Sequence, residues 1–311
     1  MKNIIKRIFA SVLVAATANV IAADNSIYVD QSGSNSTITM TQDGYGNIIR
    51  GIQQSGGNDN TVAAKIYGNT NSVTVNQVGM NNVLNLGIGS TTSGTTTLPD
   101  GTTVSVPTVN YSVNGNNATA NININNANTA GSGASNYVNV TQTGNAANAN
   151  VVVSGANNAV NAVTAGGSSN SVSTTIYGNG NIDDVSLLGG GNNSATITQG
   201  TGAGNSNNNT VSIYTSGASD SVTASQTGGT QGNAFILQGY AGAGTTSVGN
   251  SNTVNVAQSG TADNSAIVGL TGSSNTVSVT QSTSASGSGN NVLNYKISGS
   301  SNNVAVTQYN R

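Results

Sequence analysis

A repeated unit of two short alternating segments runs through most of the chain and constrains its fold more than any other feature. In each unit, apolar residues at every second position lead to Gln, and a turn containing Gly and Asn precedes a second alternating segment. Clear copies begin at Ser36, Asn71, Asn252 and Asn275. One short strand pair cannot bury a core, whereas stacked pairs can, because each aliphatic side chain lies on its equivalent in the next unit. We therefore predict an all-β, amyloid-like β-solenoid of stacked strand-turn-strand rungs, about ten or eleven in number.

The recurrent amide residues are predicted to face inward and to stack. A buried amide is costly unless it is hydrogen-bonded, but amides in register can each donate to the next and form a ladder. Such a ladder penalises register slips that aliphatic side chains alone would tolerate. For the Asn residues, the alternative is that they only fill polar turns. The predicted ladder residues are Gln42, Gln53, Gln77, Gln142, Gln199, Gln226, Gln258, Gln281, Gln308, Asn47, Asn82, Asn264 and Asn291.

The first 23 residues differ from the repeats. They combine a basic start, a short apolar stretch and small residues, with a cleavage site after Ala22 or Ala23. This pattern predicts a secretory signal peptide over residues 1–23, and it leaves 24–311 as the repeat domain. The alternative is an N-terminal anchor helix, although the apolar stretch is short for a membrane span.

The composition excludes most chemistry. The chain has no Cys, His or Trp, 5% charged residues and a net charge of −2. It therefore lacks the residues of a thiolate or imidazole metal site, has no basic face for nucleic acid and forms no disulfides. Asp183 and Asp184 are the adjacent carboxylates, and such a pair could serve a glycosidase or bind Ca²⁺. Period-two alternation instead turns one of them toward the core, so we expect a weak rung or a strand edge at this point. From the composition as a whole we expect no cofactor and no enzyme activity.

The pattern S/N-x-Φ-x-Φ-x-Q-x-G-x-x-N-x-A-x-Φ-x-Q resembles the curlin repeat of bacterial curli fibre subunits. The best matches are residues 36–88 and 252–308, and the first-strand Gln persists between them at Gln142, Gln199 and Gln226. The resemblance implies a homopolymeric extracellular amyloid fibre on the bacterial cell surface, acting in biofilm matrix and adhesion. It also implies two partners, a nucleating subunit and an outer-membrane secretion pore.

Several features depart from a standard curlin. The second-strand Gln is replaced by Ile88, Leu270 and Ile297, and the repeats are more numerous. Residues 90–108 interrupt the repeat around a Pro-Asp-Gly turn, which predicts a hairpin insertion that either contacts a neighbouring filament or is merely tolerated. The chain could elongate fibres or nucleate them.

Two alternatives to a fibre subunit remain open at the level of sequence. One is a monomeric solenoid adhesin. The other is an ice-binding solenoid, which needs a flat array of Thr-x-Thr; three Thr at alternate positions occur only at residues 37–41, and the other rungs do not continue them. Against both, residues 27–31 and 303–308 form intact strand patterns without a cap, so each end of the solenoid is expected to template another copy.

Overall fold

The computed structural model describes residues 25–31, 34–43, 47–55, 58–67, 71–89, 94–97, 103–106, 108–125, 136–188, 190–200, 208–228, 234–239, 249–260, 264–283 and 291–310. All regular structure in these residues is β-strand, 24 strands in all. Among them there is no helix long and apolar enough to cross a membrane. The predicted signal peptide lies outside the described residues and stays a prediction.

The strands form two parallel sheets of eleven strands each. Sheet A consists of β1 (Ser26–Gln31), β3 (Ile48–Ser55), β5 (Ser72–Val78), β9 (Thr108–Asn114), β11 (Tyr137–Thr143), β13 (Ala159–Ala165), β15 (Ile182–Leu188), β17 (Thr210–Thr215), β19 (Ala234–Gly239), β21 (Asn264–Thr271) and β23 (Asn291–Ser298). Sheet B consists of β2 (Thr37–Asp43), β4 (Thr61–Tyr67), β6 (Val83–Ile88), β10 (Thr119–Asn125), β12 (Asn148–Ser154), β14 (Ser171–Tyr177), β16 (Ser194–Gln199), β18 (Ser221–Gly228), β20 (Thr253–Gly260), β22 (Thr276–Thr283) and β24 (Asn303–Asn310).

One strand of each sheet makes a rung, so the described strands form eleven rungs, from β1/β2 to β23/β24. The chain alternates between the two sheets. Each inner strand pairs in parallel with the strand of the same sheet in the rung before it and with the one in the rung after it. This is the predicted β-solenoid. Between the third and fourth rungs, β7 (Gly94–Thr97) and β8 (Thr103–Val106) pair antiparallel as a separate two-stranded sheet, within the predicted insertion.

Alternate side chains of each strand point into the space between the sheets. Strands β5, β11 and β15 show strict alternation of buried and partly exposed residues. Parallel pairing in register brings equal positions of successive rungs together, as Val254 with Val277 and Val256 with Val279. The buried aliphatic residues that the structure describes form one continuous cluster along the stack. The core is therefore a set of columns, each of which runs from rung to rung.

The turns stack as closely as the strands. The residue two positions before the start of a strand often takes a left-handed conformation, with φ of 57° at Asn81 and 63° at Asn192. Asn tolerates this region better than most residues because its side chain can hydrogen-bond locally. Gly144, at φ 117°, is required for a second reason: a Cβ there would lie 2.3 Å from the carbonyl oxygen of Gly167 in the next rung.

The register differs from the sequence expectation in β3. A bulge between Arg50 and Ile52 shifts the pairing with β5, so Gln54 pairs with Gln77 and Gln53 pairs with Asn76. In the backbone register Gln54, and not Gln53, is therefore opposite Gln77; the side chains of both lie outside the described residues, so the place of Gln53 in the ladder stays a prediction. The physical reason is the extra residue of the bulge, which moves every later position by one.

Candidate functional site: amide columns and open edges

Five Gln side chains stack in five successive rungs of sheet B, from β16 to β24. The Nε2 atom of each donates to the Oε1 atom of the next, always in the direction of increasing residue number. The bonds are Gln199 to Gln226 at 3.1 Å, Gln226 to Gln258 at 2.8 Å, Gln258 to Gln281 at 2.7 Å and Gln281 to Gln308 at 2.6 Å.

The same amides also close their own rungs. Nε2 of Gln199 donates to the carbonyl oxygen of Ile182 at 3.1 Å, across the core in the same rung. Gln281 makes the corresponding bond to Ser265 at 2.9 Å, and Gln308 to Val292 at 3.1 Å. Nε2 of Gln199 and Nε2 of Gln281 thus each donate once along the stack and once across it, and Nε2 of Gln308 donates across it. An amide that would be costly to bury without partners therefore joins the two strands of its own rung and also joins its rung to the next.

Sheet A carries a second, shorter Gln column near the other end of the stack. Gln77 of β5 and Gln142 of β11 belong to it, but Val113 of β9 lies between them. The buried Tyr111, also on β9, compensates for the amide that is missing at Val113, because its hydroxyl donates to Oε1 of Gln142 at 3.1 Å. Burial raises the pKa of Tyr111 far above its usual value, partly offset by a hydrogen bond with Gln77, so the phenol remains protonated and can bridge the two amides.

The structure thus divides the predicted Gln ladder between two sheets. Gln42 stands in sheet B, where Ile66 and Ile88 occupy the next two rungs of its column. Sequence comparison aligns Gln42 with Gln77, but Gln77 lies in sheet A. Strand β4 lies between them in the chain and has no Gln at the matching position. A comparison of Gln positions in the sequence therefore passes over β4 and does not reveal that Gln42 and Gln77 lie in different sheets.

The predicted Asn residues occupy the corners where strands begin. Oδ1 of Asn47 accepts from the backbone nitrogen of Asn71 at 3.0 Å and from its Nδ2 at 2.7 Å. In the same corner of sheet A, Nδ2 of Asn291 donates to Oδ1 of Asn264 at 2.8 Å. Asn82 lies in the corresponding corner of sheet B, which forms its own column. These contacts hold the turns in register, because each Asn fixes the backbone of the next rung.

Two buried carboxyl groups were not among the predicted site residues. The first is Asp183, fully buried on β15, while its neighbour Asp184 points outward. Oγ1 of Thr174 donates to Oδ2 of Asp183 at 2.6 Å, and Oδ1 has no partner. Burial raises the pKa of Asp183 to about 7, the Thr174 hydrogen bond opposes this, and Asp184 adds a repulsion in the same direction as burial. The sequence expectation that one Asp turns inward holds, but β15 is an inner strand with neighbours on both sides.

The second carboxyl group, Asp220, stands in the Asn column of sheet B. Its backbone nitrogen donates to Oδ1 of Asn193 at 2.9 Å, and its Oδ1 accepts from the nitrogen and the Nδ2 of Asn252 at 2.9 and 3.2 Å. Its Oδ2 has no partner. Burial raises the pKa of Asp220, although the bonds from Asn252 lower it in part. A signal existed in the sequence: Asp220 precedes a strand at the position that Asn fills in the neighbouring rungs.

The stack has an open edge at each end of the described strands. β1 and β2 pair only with later strands, and β23 and β24 only with earlier ones. The inward residues of β24 are only half buried, in contrast to those of β22. Val292 and Tyr309 are 66% and 70% exposed on the last rung. Each edge therefore offers unpaired backbone groups and apolar side chains that have a neighbour everywhere else in the solenoid.

The outer face of sheet B contains a block of hydroxyl side chains. Three adjacent strands, β14, β16 and β18, carry only Ser and Thr at the first three outward positions, and the rows pair in register. The nine residues are Ser171, Ser173, Thr175, Ser194, Thr196, Thr198, Ser221, Thr223 and Ser225. The block mixes five Ser with four Thr, so it differs from the Thr-x-Thr array that the sequence predicts only at residues 37–41.

Comparison with known proteins gives one match. The family described as the Curlin associated repeat matches residues 249–282, a segment that contains β20, β21 and all but the last residue of β22. It covers one link of the Gln column, from Gln258 to Gln281. No curated protein and no solved structure matches the chain. The resemblance to the curlin family is thus confirmed over residues 249–282, which match the model of the Curlin associated repeat.

Proposed function

We propose that the chain is a secreted structural subunit that polymerises end to end into an extracellular curli-like amyloid fibre, which acts in the biofilm matrix and in surface adhesion. The observation that carries this proposal is the pair of open edges, whose strands are built like the inner ones but have one neighbour each. The curlin-associated repeat supports a fibre subunit. The role is mechanical and not catalytic.

The side chains at the two edges match one another when a second copy continues the stack, sheet B on sheet B. Gln308 spends one Nε2 hydrogen on the carbonyl of Val292, and the other is directed along the column. Gln42 stands at the opposite edge in the same column, and Ile66 below it offers no amide. Gln308 of one copy would then donate to Oε1 of Gln42 in the next, so the joint extends the ladder that runs through the last five rungs.

The apolar positions support the same joint. In sheet B the inward residues of the last rung are Val304 and Val306, and those of the first are Ile38 and Met40. Stacking in register would place each Val on an aliphatic partner, as in every inner rung. Because the contact joins opposite ends of the molecule, it is heterologous and does not close, which produces a filament instead of a dimer.

Secretion and partners belong to the same proposal. The segment 1–23 is proposed to be removed, so that the secreted protein begins at Ala23 or Asp24, which N-terminal sequencing can read. By resemblance to curlins, an outer-membrane pore would export the chain and a nucleating subunit would start the fibre.

Engineered cysteines test the joint directly, since the chain has no Cys of its own. Thr41 and Thr307 face outward in one column of sheet B, at opposite ends of the stack. In the proposed joint they lie on adjacent strands, about 4.8 Å apart, a separation that a disulfide can bridge. The double variant T41C/T307C should therefore give a ladder of covalent multimers after mild oxidation, seen on a non-reducing gel.

Two control pairs make the outcome specific. T175C/T307C keeps the last rung but places its partner in the middle of the stack, and it should give no multimers. D30C/T307C reports the rotated arrangement, sheet B on sheet A, and its cross-linking in place of T41C/T307C would replace the proposed register with that one. A chain that remains monomeric at high concentration and cross-links in none of these forms would refute polymerisation and favour a monomeric adhesin.

A second candidate function is the binding of ice. The block of nine Ser and Thr residues on β14, β16 and β18 favours it, because it is a regular hydroxyl array on the outside of a stacked sheet. If this face binds ice, the protein should inhibit ice recrystallisation, and Thr196→Lys or Thr223→Lys should abolish the effect. Equal inhibition by these variants, or none by the parent protein, excludes this role for the face.

A further inference from the structure

Two adjacent rungs in the C-terminal half of the stack each contain a buried carboxyl group with one oxygen that lacks a partner. Asp183 belongs to the rung β15/β16 and Asp220 to the rung β17/β18. The unpartnered atoms are Oδ1 of Asp183 and Oδ2 of Asp220. Most buried polar atoms in proteins have a partner, so these two carboxyl oxygens in neighbouring rungs require an explanation.

Asp183 interrupts an aliphatic column of sheet A. Its neighbours in register are Val160 on β13 and Val211 on β17. Across the core it receives one hydrogen bond, from Thr174. A carboxylate in such surroundings has a single donor in place of its hydration shell, whereas a protonated carboxyl group is neutral and tolerates the apolar neighbours.

Asp220 interrupts a column of amides. In that column, Nδ2 of Asn193 donates to the turn carbonyls of Gly190 and Gly217, and Nδ2 of Asn252 donates to the carbonyl of Gly249. Asp220 has an oxygen where these residues have a hydrogen donor. When ionised it can donate nothing to a turn carbonyl, but when protonated it has an O–H in the position of the missing N–H.

No cation compensates for the two carboxyl groups. The strands from β13 to β20 contain no Lys or Arg in their sequences. Their ionisable residues other than Asp183 are Tyr177, Asp184 and Tyr214, all at outward positions. Ionisation of Asp183 or Asp220 is therefore favoured only by the hydrogen bonds from Thr174 and Asn252, and burial outweighs them.

We propose that the rungs β15/β16 and β17/β18 form a proton-dependent joint inside the solenoid: they are closed as firmly as their neighbours while Asp183 and Asp220 are protonated, and they open before the rest of the stack when both are ionised. The joint is a property of the single chain, so it goes beyond the proposed polymerisation and does not rest on it.

The pH window follows from the direction of the shifts. The pKa of Asp183 rises from 3.8 to about 7 on folding, so the folded state holds the proton more tightly than the open state. The stability that this provides is complete below pH 3.8 and is lost as the pH rises through about 7. Within that window the opening constant of these rungs should increase about tenfold per pH unit for one such group. The pKa of Asp220 shifts in the same direction.

Hydrogen exchange measured by mass spectrometry on the full chain tests the proposal. Exchange at about pH 4 and about pH 7.5, corrected for intrinsic rates, gives the opening constant of each peptide in the two conditions. Peptides from residues 182–228 should show an increase in opening at least about tenfold larger than peptides from 253–283. An equal change in both segments would overturn the proposal.

Substitutions assign the effect to its residues. In Asp183→Asn with Asp220→Asn, the second change restores the amide of the column, and the excess opening at the higher pH should disappear. Asp184→Asn removes the neighbouring outward carboxylate, whose repulsion is the smallest of the three contributions to the Asp183 shift, so most of the excess should remain, which makes it the matched control. If the double Asn variant is poorly folded, Asp183→Val, which continues the column of Val160 and Val211, provides the same comparison. Persistence of the excess in both the Asn and Val variants would disprove the joint.

Discussion

At the scale of single residues, the inward Gln side chains stabilise both directions of the lattice. Gln281 receives a bond from Gln258, donates to Gln308 and donates across the rung to Ser265. An unmade bond at a buried amide costs about 1–3 kcal/mol, more than the net gain from making it, so the column strongly disfavours any register other than the observed one. Tyr111 shows the same rule, since its hydroxyl fills the gap that Val113 leaves between two amides.

Replacement of Gln258 and Gln281 by Leu should therefore keep apolar burial and loosen the register. Each Gln→Leu change leaves neighbouring amides without partners, and the double variant should lose about 2–4 kcal/mol in free energy of unfolding, measured in urea. Any polymer should form more slowly or in several morphologies, judged by electron microscopy. The control is Thr280→Leu, an outward residue next to Gln281. Equal behaviour of the double variant and the control would show that the column does not set the register.

The residues of the column were predictable from the sequence, but their grouping was not. Gln258, Gln281 and Gln308 share one offset after an alternating pair of Val residues, and inward orientation follows from period two. Whether a Gln lies in sheet A or in sheet B depends on the number of solenoid strands that precede it in the chain. A half-unit such as β4, with Ile66 in place of Gln, is invisible to a search for Gln. Asp183 and Asp220 were also missed as a pair, because nothing local relates residues of different rungs.

At the scale of elements, the turns impose the strictest demands. Strands tolerate many inward residues of similar size, as the mixture of Ala, Val, Ile and Leu in the core shows. The turns stack backbone on backbone, and their glycines have no space for a side chain. The alternation of strands was predicted correctly from the sequence, since a period of two is a local property. The bulge in β3 was not, because it depends on the pairing of Ile52 with Val75 in the next rung.

Two glycines give a matched test of the turns. Gly144→Ala would force a Cβ to within 2.3 Å of the Gly167 carbonyl at a positive φ, and we expect a loss of about 2–4 kcal/mol in free energy of unfolding. Gly87→Ala adds a Cβ on the outside of a strand, 3.7 Å from Oδ1 of Asn123, and should change stability by less than about 0.5 kcal/mol. Thermal and urea unfolding measure both. Similar losses for the two variants would contradict the close packing of the turns.

At the scale of the whole molecule, stability and assembly depend on the same contacts. An inner rung is held by two neighbours and a terminal rung by one, so the terminal rungs are the least protected part of the stack and the part that another copy would bury. The solenoid and the number of its rungs follow from the sequence repeat, since a repeat of this kind can bury a core only by stacking. The resemblance to curlins supplied the expectation of a fibre, which no local pattern contains.

An inward charge on the last strand should stop growth while leaving the folded chain intact. Val306→Lys places an ammonium group on the half-buried inner side of β24, where a second copy would have to cover it. We expect the rate of elongation to fall at least about tenfold, because burial of an unpaired charge is strongly unfavourable. Dye-binding kinetics and a cross-β reflection near about 4.7 Å are the measurements. Thr307→Lys, which faces outward on the same strand, should polymerise normally, and equal kinetics for the two variants would refute end-to-end addition.

The Gln hydrogen bonds of sheet B all run in one direction along the stack, so they give the molecule a polarity. Every link in the column of sheet B has its donor on the lower-numbered residue and its acceptor on the higher-numbered one, so the column begins at Gln199 with an amide oxygen that has no partner and ends at Gln308 with an Nε2 that has no further amide acceptor. When copies join in register, these hydrogen bonds point in the same direction in every copy of the row. Its two tips are then chemically unlike, with different capture rates for a free copy, and a labelled seed should lengthen faster at one tip than at the other.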